Sequence, residues 1–498
     1  MPSILTEDTR LSSKCSATLA LLALLLAAGI ATAQVPLTQI STDDFTNTTS
    51  QHETEVEPAS YSLGATIVSV FQVGRFTDGG SSDIGFSTST DSGTTWTHGR
   101  MPGITKLEGT GKYDRASDTS VTYNLKYKTW LVESLALSQT GGVHGAAVLV
   151  SSSTDGITWG TPATVSVVET GGYYDKPWIG CDNTPSSPYF GNCYVEWDDF
   201  SQFDLIQMST SKDGGKTWSA KQSTAASDSG NGGLPMVQPN GTVIVAVDDP
   251  FLGSVLAFKS TNGGSSWSSA VSVAGIFEHG VGGNMRALPL INAQMDAAGK
   301  VYVVWADCSF RTNCSSNDIV MSTSTNGTTW TAPARIPIDA VTSTVDHFTP
   351  GIAIVRSSSG STAKIALTYN FFPKANCGTV CSLSVGYVTS SDGGTTWTAP
   401  RTLAKGMNPS WLPSTTSGQM AGDYMTVSYD VKAHAVFPDA KAPVGSTFNE
   451  SMDTNQYPLP ESAPGEARFS SANDKRVANP HSDVPRRTKP YREDGDEK

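Results

Sequence analysis

Three short stretches set acids, a cation and indole rings within a few residues of one another. YDRASDTS carries Arg115 and Asp118, YYDKPWIGCD carries Asp175, Lys176 and Asp182, and VEWDDF carries Glu196, Asp198 and Asp199. Paired carboxyl groups suit glycoside hydrolysis: one protonates the departing oxygen, the other activates water or attacks the anomeric carbon, and their separation sets the stereochemical outcome. Trp178 and Trp197 are placed to stack on sugar rings. The plainer reading is that these Asp and Lys side chains cap loops between structural units. The loops DGGSSD and DDFSQFD offer oxygen ligands for calcium, but neither has EF-hand spacing, and no metal or cofactor is expected. His52, His98, His144, His279 and His347 are scattered singly, and no G-x-S-x-G supports Ser–His–Asp chemistry.

What must position these side chains is a repeated turn. STDSGTTW, ending at Trp96, returns as STDGITW at Trp159, SKDGGKTW at Trp218, STNGGSSW at Trp267, STNGTTW at Trp330 and SSDGGTTW at Trp397. In each copy an Asp or Asn (Asp91, Asp155, Asp213, Asn262, Asn326, Asp392) can accept hydrogen bonds from the backbone that follows, and the glycines allow the positive φ that a tight tip needs. The Trp buries a large ring whose indole N–H seeks a partner. Alternating or apolar segments such as DIGFSTST, LIQMSTS and DIVMSTS precede the tips, so each tip joins two antiparallel strands. The tryptophans stand 49 to 67 residues apart, which suits four short strands per unit and a propeller of stacked sheets.

These six tips resemble the Asp-box, or BNR-repeat, of the sialidase-like superfamily, and the resemblance runs from about Pro36 to Asp439. It implies an all-β, sialidase-like β-propeller over residues 34–441. Six blades carry a box, and the strands of GDYMTVSYD and AHAVFPDA leave open a seventh, composite blade that joins the N-terminal strand and closes the ring with both chain ends. In sialidases three arginines hold the substrate carboxylate, a Tyr activated by a Glu is the nucleophile, and an Asp is the acid/base. Carried over, Arg75 is one clamp, Asp78 the acid/base, Arg286 a second clamp, Glu278 the base and Tyr424 the nucleophile; Arg335, Arg356 and Arg401 compete for the third clamp. The segment EVEPASYSL lacks the Arg-Ile-Pro signature expected upstream of Arg75. For Arg75 a salt bridge with Asp78 or Asp83 is the alternative, and for Tyr424 it is ordinary packing on an inner strand.

The remaining features describe a compartment. SATLALLALLLAAGIATA, behind Arg10 and Lys14, reads as a signal peptide over residues 1–33, with a membrane anchor as the alternative. The other six cysteines lie in close pairs, Cys181 with Cys193, Cys308 with Cys314 and Cys377 with Cys381, and proximity favours these as disulfides in an oxidising compartment. Sequons begin at Asn47, Asn240, Asn313, Asn326 and Asn449. A net charge of −13 without a basic stripe argues against nucleic acid. Residues 442–498 turn polar and charged and read as a disordered tail. The expectation is a secreted, monomeric glycosidase acting on an extracellular glycan or glycoconjugate, with no membrane contact after signal cleavage. A non-catalytic propeller that binds a glycan or protein is the competing class.

Overall fold

The computed structural model describes residues 35–461, apart from 252 and 379, and residues 467–477. The expected signal segment, 1–33, lies outside them. Apart from short 3-10 turns, the described elements are β-strands, and among the described residues no helix is long and apolar enough to cross a membrane.

The strands follow one another in antiparallel groups. Asn231–Val237, Val243–Asp249, Ser254–Ser260 and Val271–Gly275 form one sheet, and Asp346–Ile354, Ile365–Phe372, Leu383–Ser390 and Arg401–Met407 another. The second strands are buried along most or all of their length, as in Val301–Asp307, because sheets cover both faces. An eight-stranded sheet joins two such groups, which begin at Glu55–Leu63 and Arg115–Asn124, through the single pair Ser81 and Ala116. No described sheet closes on itself. Instead the leading strands touch in turn: Glu55–Leu63, Arg115–Asn124, Tyr174–Cys181, Asn231–Val237, Asn292–Met295, Asp346–Ile354 and Thr426–Tyr429, the last of which touches Glu55–Leu63 again.

The group led by Thr426–Tyr429 carries no repeated tip and uses both ends of the chain. Its order runs from Thr426–Tyr429 through Ala433–Ala440 and Glu450–Asn455 to Leu37–Gln39. The N-terminal strand therefore pairs with Glu450–Asn455, in the segment expected to be disordered from residue 442. That expectation is corrected here: all six residues of ESMDTN are buried between two partner strands, which satisfy the backbone that a polar sequence was expected to leave to water. Arg468–Phe469 also pairs, with Trp397–Thr398. Ile40, Phe71, Val73, Val436 and Met452 weld this sheet to the first.

The six tips fold alike. In the first, Ser89 donates its hydroxyl to Asp91 (2.8 Å) and accepts the Gly93 N–H (2.8 Å), while Asp91 accepts the Thr95 N–H (2.8 Å). Two backbone N–H groups, from Thr158 and Ile157, hold the Asp155 carboxyl at about 2. The indole N–H of Trp96, Trp218 and Trp397 reaches the tip glycine carbonyl at 3.1–3.2 Å. In the two shorter tips Trp159 and Trp330 leave their indole N–H without an acceptor among the described residues. Asp213 accepts the Lys216 and Thr217 N–H groups at 3.1 and 3.0 Å. Asp213→Ala is therefore expected to lower stability by about 1 kcal/mol. Asp213→Asn, which reproduces what Asn262 does in its own tip, is expected to cost much less in the same thermal melts.

All three local disulfides form, with Cα separations of 4.0, 4.8 and 4.9 Å for Cys181–Cys193, Cys308–Cys314 and Cys377–Cys381.

Candidate functional site

Five of the leading strands carry a bulge near their start, where the register with the second strand slips. The residue inside the bulge has positive φ each time: Glu57 (55°), Asp118 (26°), Lys176 (46°), Gly232 (66°) and Thr349 (46°). For the four that are not glycine this costs roughly 1–3 kcal/mol each, and such strain gathers at functional sites. Pro58, Pro177 and Pro350 follow three of them, at positions skipped by the ladder where a missing N–H costs nothing. This recurrence of X-Pro was a readable sign of the bulges that sequence reasoning missed.

The bulges turn three ionisable side chains toward a common centre. Lys176 donates to Asp118 (2.9 Å) and Asp423 (2.8 Å), with Glu57 at 3.9 Å. Arg286 grips Asp423 with two hydrogen bonds, 2.8 and 2.6 Å. Glu57 accepts the Asp423 N–H at 3.1 Å and a hydrogen bond from the Gln72 amide. The close approach of these two strands requires Gly422, whose φ is 144° and where a Cβ would lie 2.9 Å from the Glu57 nitrogen. Tyr424 accepts the Thr119 N–H at 3.0 Å and meets Trp178 edge to face, centroids 5.3 Å apart. All six ionisable side chains are buried.

Burial raises Glu57 to about 8, with Lys176 opposing and Asp118 and Asp423 adding to the shift. Burial also works against the Asp423 carboxylate, but Arg286 and Lys176 together outweigh it and hold it well below the usual carboxylate range. The Tyr424 phenol is pushed well above its ordinary value by burial, then by Glu57 and Asp118.

The cluster sits at the narrow end of a channel. Tyr61, Thr122, Trp178, Met236, Gln294, Ala353 and Ser428, one from each leading strand, help line a cavity of about 540 Å³. Trp178, Leu234 and Asn292 continue into a smaller space walled by Lys176 and Tyr424.

The structure thus brings together Asp118, Lys176, Arg286 and Tyr424, and adds Glu57 and Asp423, which sequence reasoning did not single out. Other expected roles do not fit the geometry. Arg286 is spent on Asp423. Arg75 is buried, donating to the Gly80 carbonyl (2.7 Å) and the Met420 sulfur (3.2 Å). Asp78, one of the two acids expected beside Arg75, is exposed and pairs with Arg115 at 2.6 Å. Arg115 also donates to Gly79 and lies 3.9 Å over the Phe76 ring. Glu278 lies on a loop whose neighbours Phe277 and His279 bond Asp307 and Asn317, whereas the carboxylates acting on Tyr424 are Glu57 and Asp118. Arg335 is held by Asp318 and Asp339, and Arg356 by Tyr61 and Asp430. Arg401 begins the outer strand Arg401–Met407.

The second set of acids divides. Asp182 bonds Ser187 and the Thr184 N–H, and Asp199 caps the turn at 200–202, as the loop-capping reading expects. Glu196 is buried and accepts the Gly233 N–H at 2.9 Å. Trp197 is wholly buried against Tyr174, so it is not a sugar platform; Trp178 faces the channel. Asp175 lines a separate small pocket with Asp204 and Asp248. Among the described residues only Asp318, Asp339 and His347 bring three ligand atoms within metal-binding reach, and Arg311 and Arg335 already neutralise those acids. Neither calcium-like loop does so.

No protein-family profile matches the sequence, and neither does any curated protein. Solved structures do. The Hadza microbial sialidase Hz136 is similar over 68% of this chain and 66% of its own, at 15% identity and a TM-score of 0.43. The chain thus spans just under two thirds of that protein. An ulvan lyase, a polysaccharide lyase, is similar over 84% of this chain and 95% of its own, at 11% identity and 0.49. The NanB sialidase of Streptococcus pneumoniae is similar over 84% and 70%, at 14% identity and 0.40. At identities this low no site residue carries over from any of them.

Proposed function

We propose that this chain is a secreted, sialidase-like propeller whose seven strand groups are its blades, and that it binds and hydrolyses an extracellular glycan in the axial channel. The disulfides, the leader-like first 33 residues and the circuit of leading strands support this reading. The observation that carries the chemistry is the placement of Tyr424 on the wall of the inner space, its ring on Trp178 and its hydroxyl among Glu57, Asp118 and Lys176.

In this reading Tyr424 attacks the anomeric carbon while Glu57, in its ionised form, takes the phenol proton, and the aglycone oxygen leaves with a proton from water; the hydroxide so formed then attacks the anomeric carbon, breaking its bond to Tyr424, whose oxygen takes the proton back from Glu57. Lys176 and Arg286 face three carboxylates, Glu57, Asp118 and Asp423, so the cluster holds no surplus positive charge and suits a sugar without the carboxylate of a sialoside. Tyr424→Phe is expected to lower kcat on a responsive chromogenic glycoside at least a thousandfold and to leave KM within about threefold. Unchanged turnover in that variant would remove the mechanism.

The non-catalytic reading also has a specific support: Arg75, Arg115 and Arg286 each bond an acid or carbonyl of the chain itself. Glycan binding that survives in the wild type with no turnover on a panel of neutral and sialylated glycosides would favour it.

A further inference from the structure

The edge of the channel mouth carries a patch of positive charge that the chemistry above does not use. The turn 125–128 joins the strands Arg115–Asn124 and Thr129–Ser138, and Lys126 and Lys128 are exposed on it. The tip that follows Leu205–Ser211 is seated on that turn and brings Lys212 and Lys216, also exposed. Tyr127 joins the two: its hydroxyl donates to the Lys212 carbonyl at 2.5 Å, and its ring packs against Gly214, where a Cβ would stand 2.8 Å from the ring. The Lys126 ammonium lies 5.5 Å from the centre of the same ring.

The fold itself makes no use of these charges. Lys106, Lys176, Lys221, Lys364 and Lys441 each reach a carboxylate, whereas among the described residues no carboxylate lies within ion-pair distance of the four ammonium groups of the patch. Asp213, the acid of the same tip, is turned back onto the Lys216 and Thr217 N–H groups and the Thr217 hydroxyl. Lys128 has a φ of 54°, which glycine or asparagine adopts with less strain, so the turn does not explain the lysine. Four like charges held on two adjoining loops repel one another, and an anion set among them relieves that repulsion. The chain's net charge of −13 does not prevent this, because acids more than about 8 Å away are largely screened at physiological salt.

The patch is continuous with the channel. The Leu125 N–H donates to the Asn183 side chain at 2.8 Å, the Asn183 amide reaches the Tyr61 hydroxyl at 3.4 Å, and all three residues line the cavity. A chain whose end lies in the channel therefore leaves it over Leu125 and Tyr127, each 37% exposed, before it meets the lysines. The Tyr127 ring offers such a chain an apolar face for a sugar ring. We infer that Lys126, Lys128, Lys212 and Lys216 form a docking surface for an anionic polysaccharide, whose charged units stay outside the channel. The choice of a polysaccharide over another polyanion rests on the glycan reading above; the anion-binding surface itself does not.

The test is titration calorimetry on the full chain with dextran sulfate, neutral dextran of the same length and poly-aspartate, at about 0.05 M and about 0.3 M sodium chloride. Dextran sulfate is expected to bind at least tenfold more tightly than neutral dextran, and to lose most of that advantage at the higher salt. Lys126→Ser combined with Lys212→Ser, both at exposed positions, should weaken it about tenfold or more, while Lys405→Ser, exposed on the outer strand Arg401–Met407, should leave it unchanged. Equal binding of the two dextrans, no binding of dextran sulfate, full binding by the double variant or an equal loss in Lys405→Ser overturns the inference. Poly-aspartate that binds more tightly with the same dependence on the two lysines overturns the polysaccharide assignment. If no glycoside is ever hydrolysed, the channel chemistry fails and this binding still stands.

Discussion

Lys176→Met is expected to lower unfolding free energy by about 3–5 kcal/mol, one of the largest effects of any single substitution in this chain. The lysine is buried between Asp118 and Asp423, and removing its charge strands a carboxylate in a place water does not reach. Asp423 keeps Arg286, so most of the loss falls on Asp118. Adding Asp118→Asn to Lys176→Met should therefore restore part of the stability, a non-additivity that a simple packing defect would not give. Denaturant unfolding of the four proteins reads this directly. A loss below about 1 kcal/mol in the single variant would mean that the cluster does not depend on its lysine.

Stability is expected to fall as the pH rises from about 5 to about 8, the reverse of ordinary acid denaturation. Burial raises Asp453 to about 6, with Asp439 adding to it, Asp204 to about 7, and Glu57 to about 8, and it raises Glu55, Asp83, Glu133, Glu196, Asp198 and Glu450 well above their ordinary range. The unfolded chain releases these protons near pH 4, so between there and each raised value the folded state binds more protons. The stabilisation is complete below the unfolded values and drains away as pH climbs through the folded ones, by about 1.4 kcal/mol per pH unit for each proton held. Asp423, held low by its cations, acts oppositely and loses its contribution only below about pH 4. Melting temperature should thus peak in mildly acidic buffer. A curve that rises steadily to pH 8 would show that these acids are ionised in the fold. Turnover should move the other way: if Glu57 is the base, kcat rises through about pH 8, and a falling limb there would make it the acid.

The tips were legible because they are local: Ser, Asp or Asn, Gly and Trp complete their own hydrogen bonds within eight residues. So were the disulfides, whose partners are 4 to 12 residues apart. The site was legible only in part. Asp118, Lys176, Arg286 and Tyr424 stood out as chemical side chains on leading strands or their approaches, but what they face is set by residues far along the chain. Arg286 finds Asp423 across 137 positions, and Asp423 finds Glu57 across 366. Nothing near Arg286 in sequence shows that its charge is already used. Glu57 does not stand out in EVEPASYSL, because strand alternation alone does not show its direction and a bulge is needed to turn that glutamate inward. Trp197 and Trp178 look alike in sequence; the alternation of faces along their strands buries one and presents the other.

Leu37 lies opposite Asn455, so the earliest described strand waits for nearly the last. A nascent chain leaving the ribosome cannot complete that sheet until translation has passed the mid-450s, and until then the outer edge of Glu55–Leu63 and the apolar face around Phe71 and Val73 stand uncovered. Capture of the N-terminal strand thus has to wait for a late-made one, and a premature stop before it would leave a sticky intermediate for chaperones to hold.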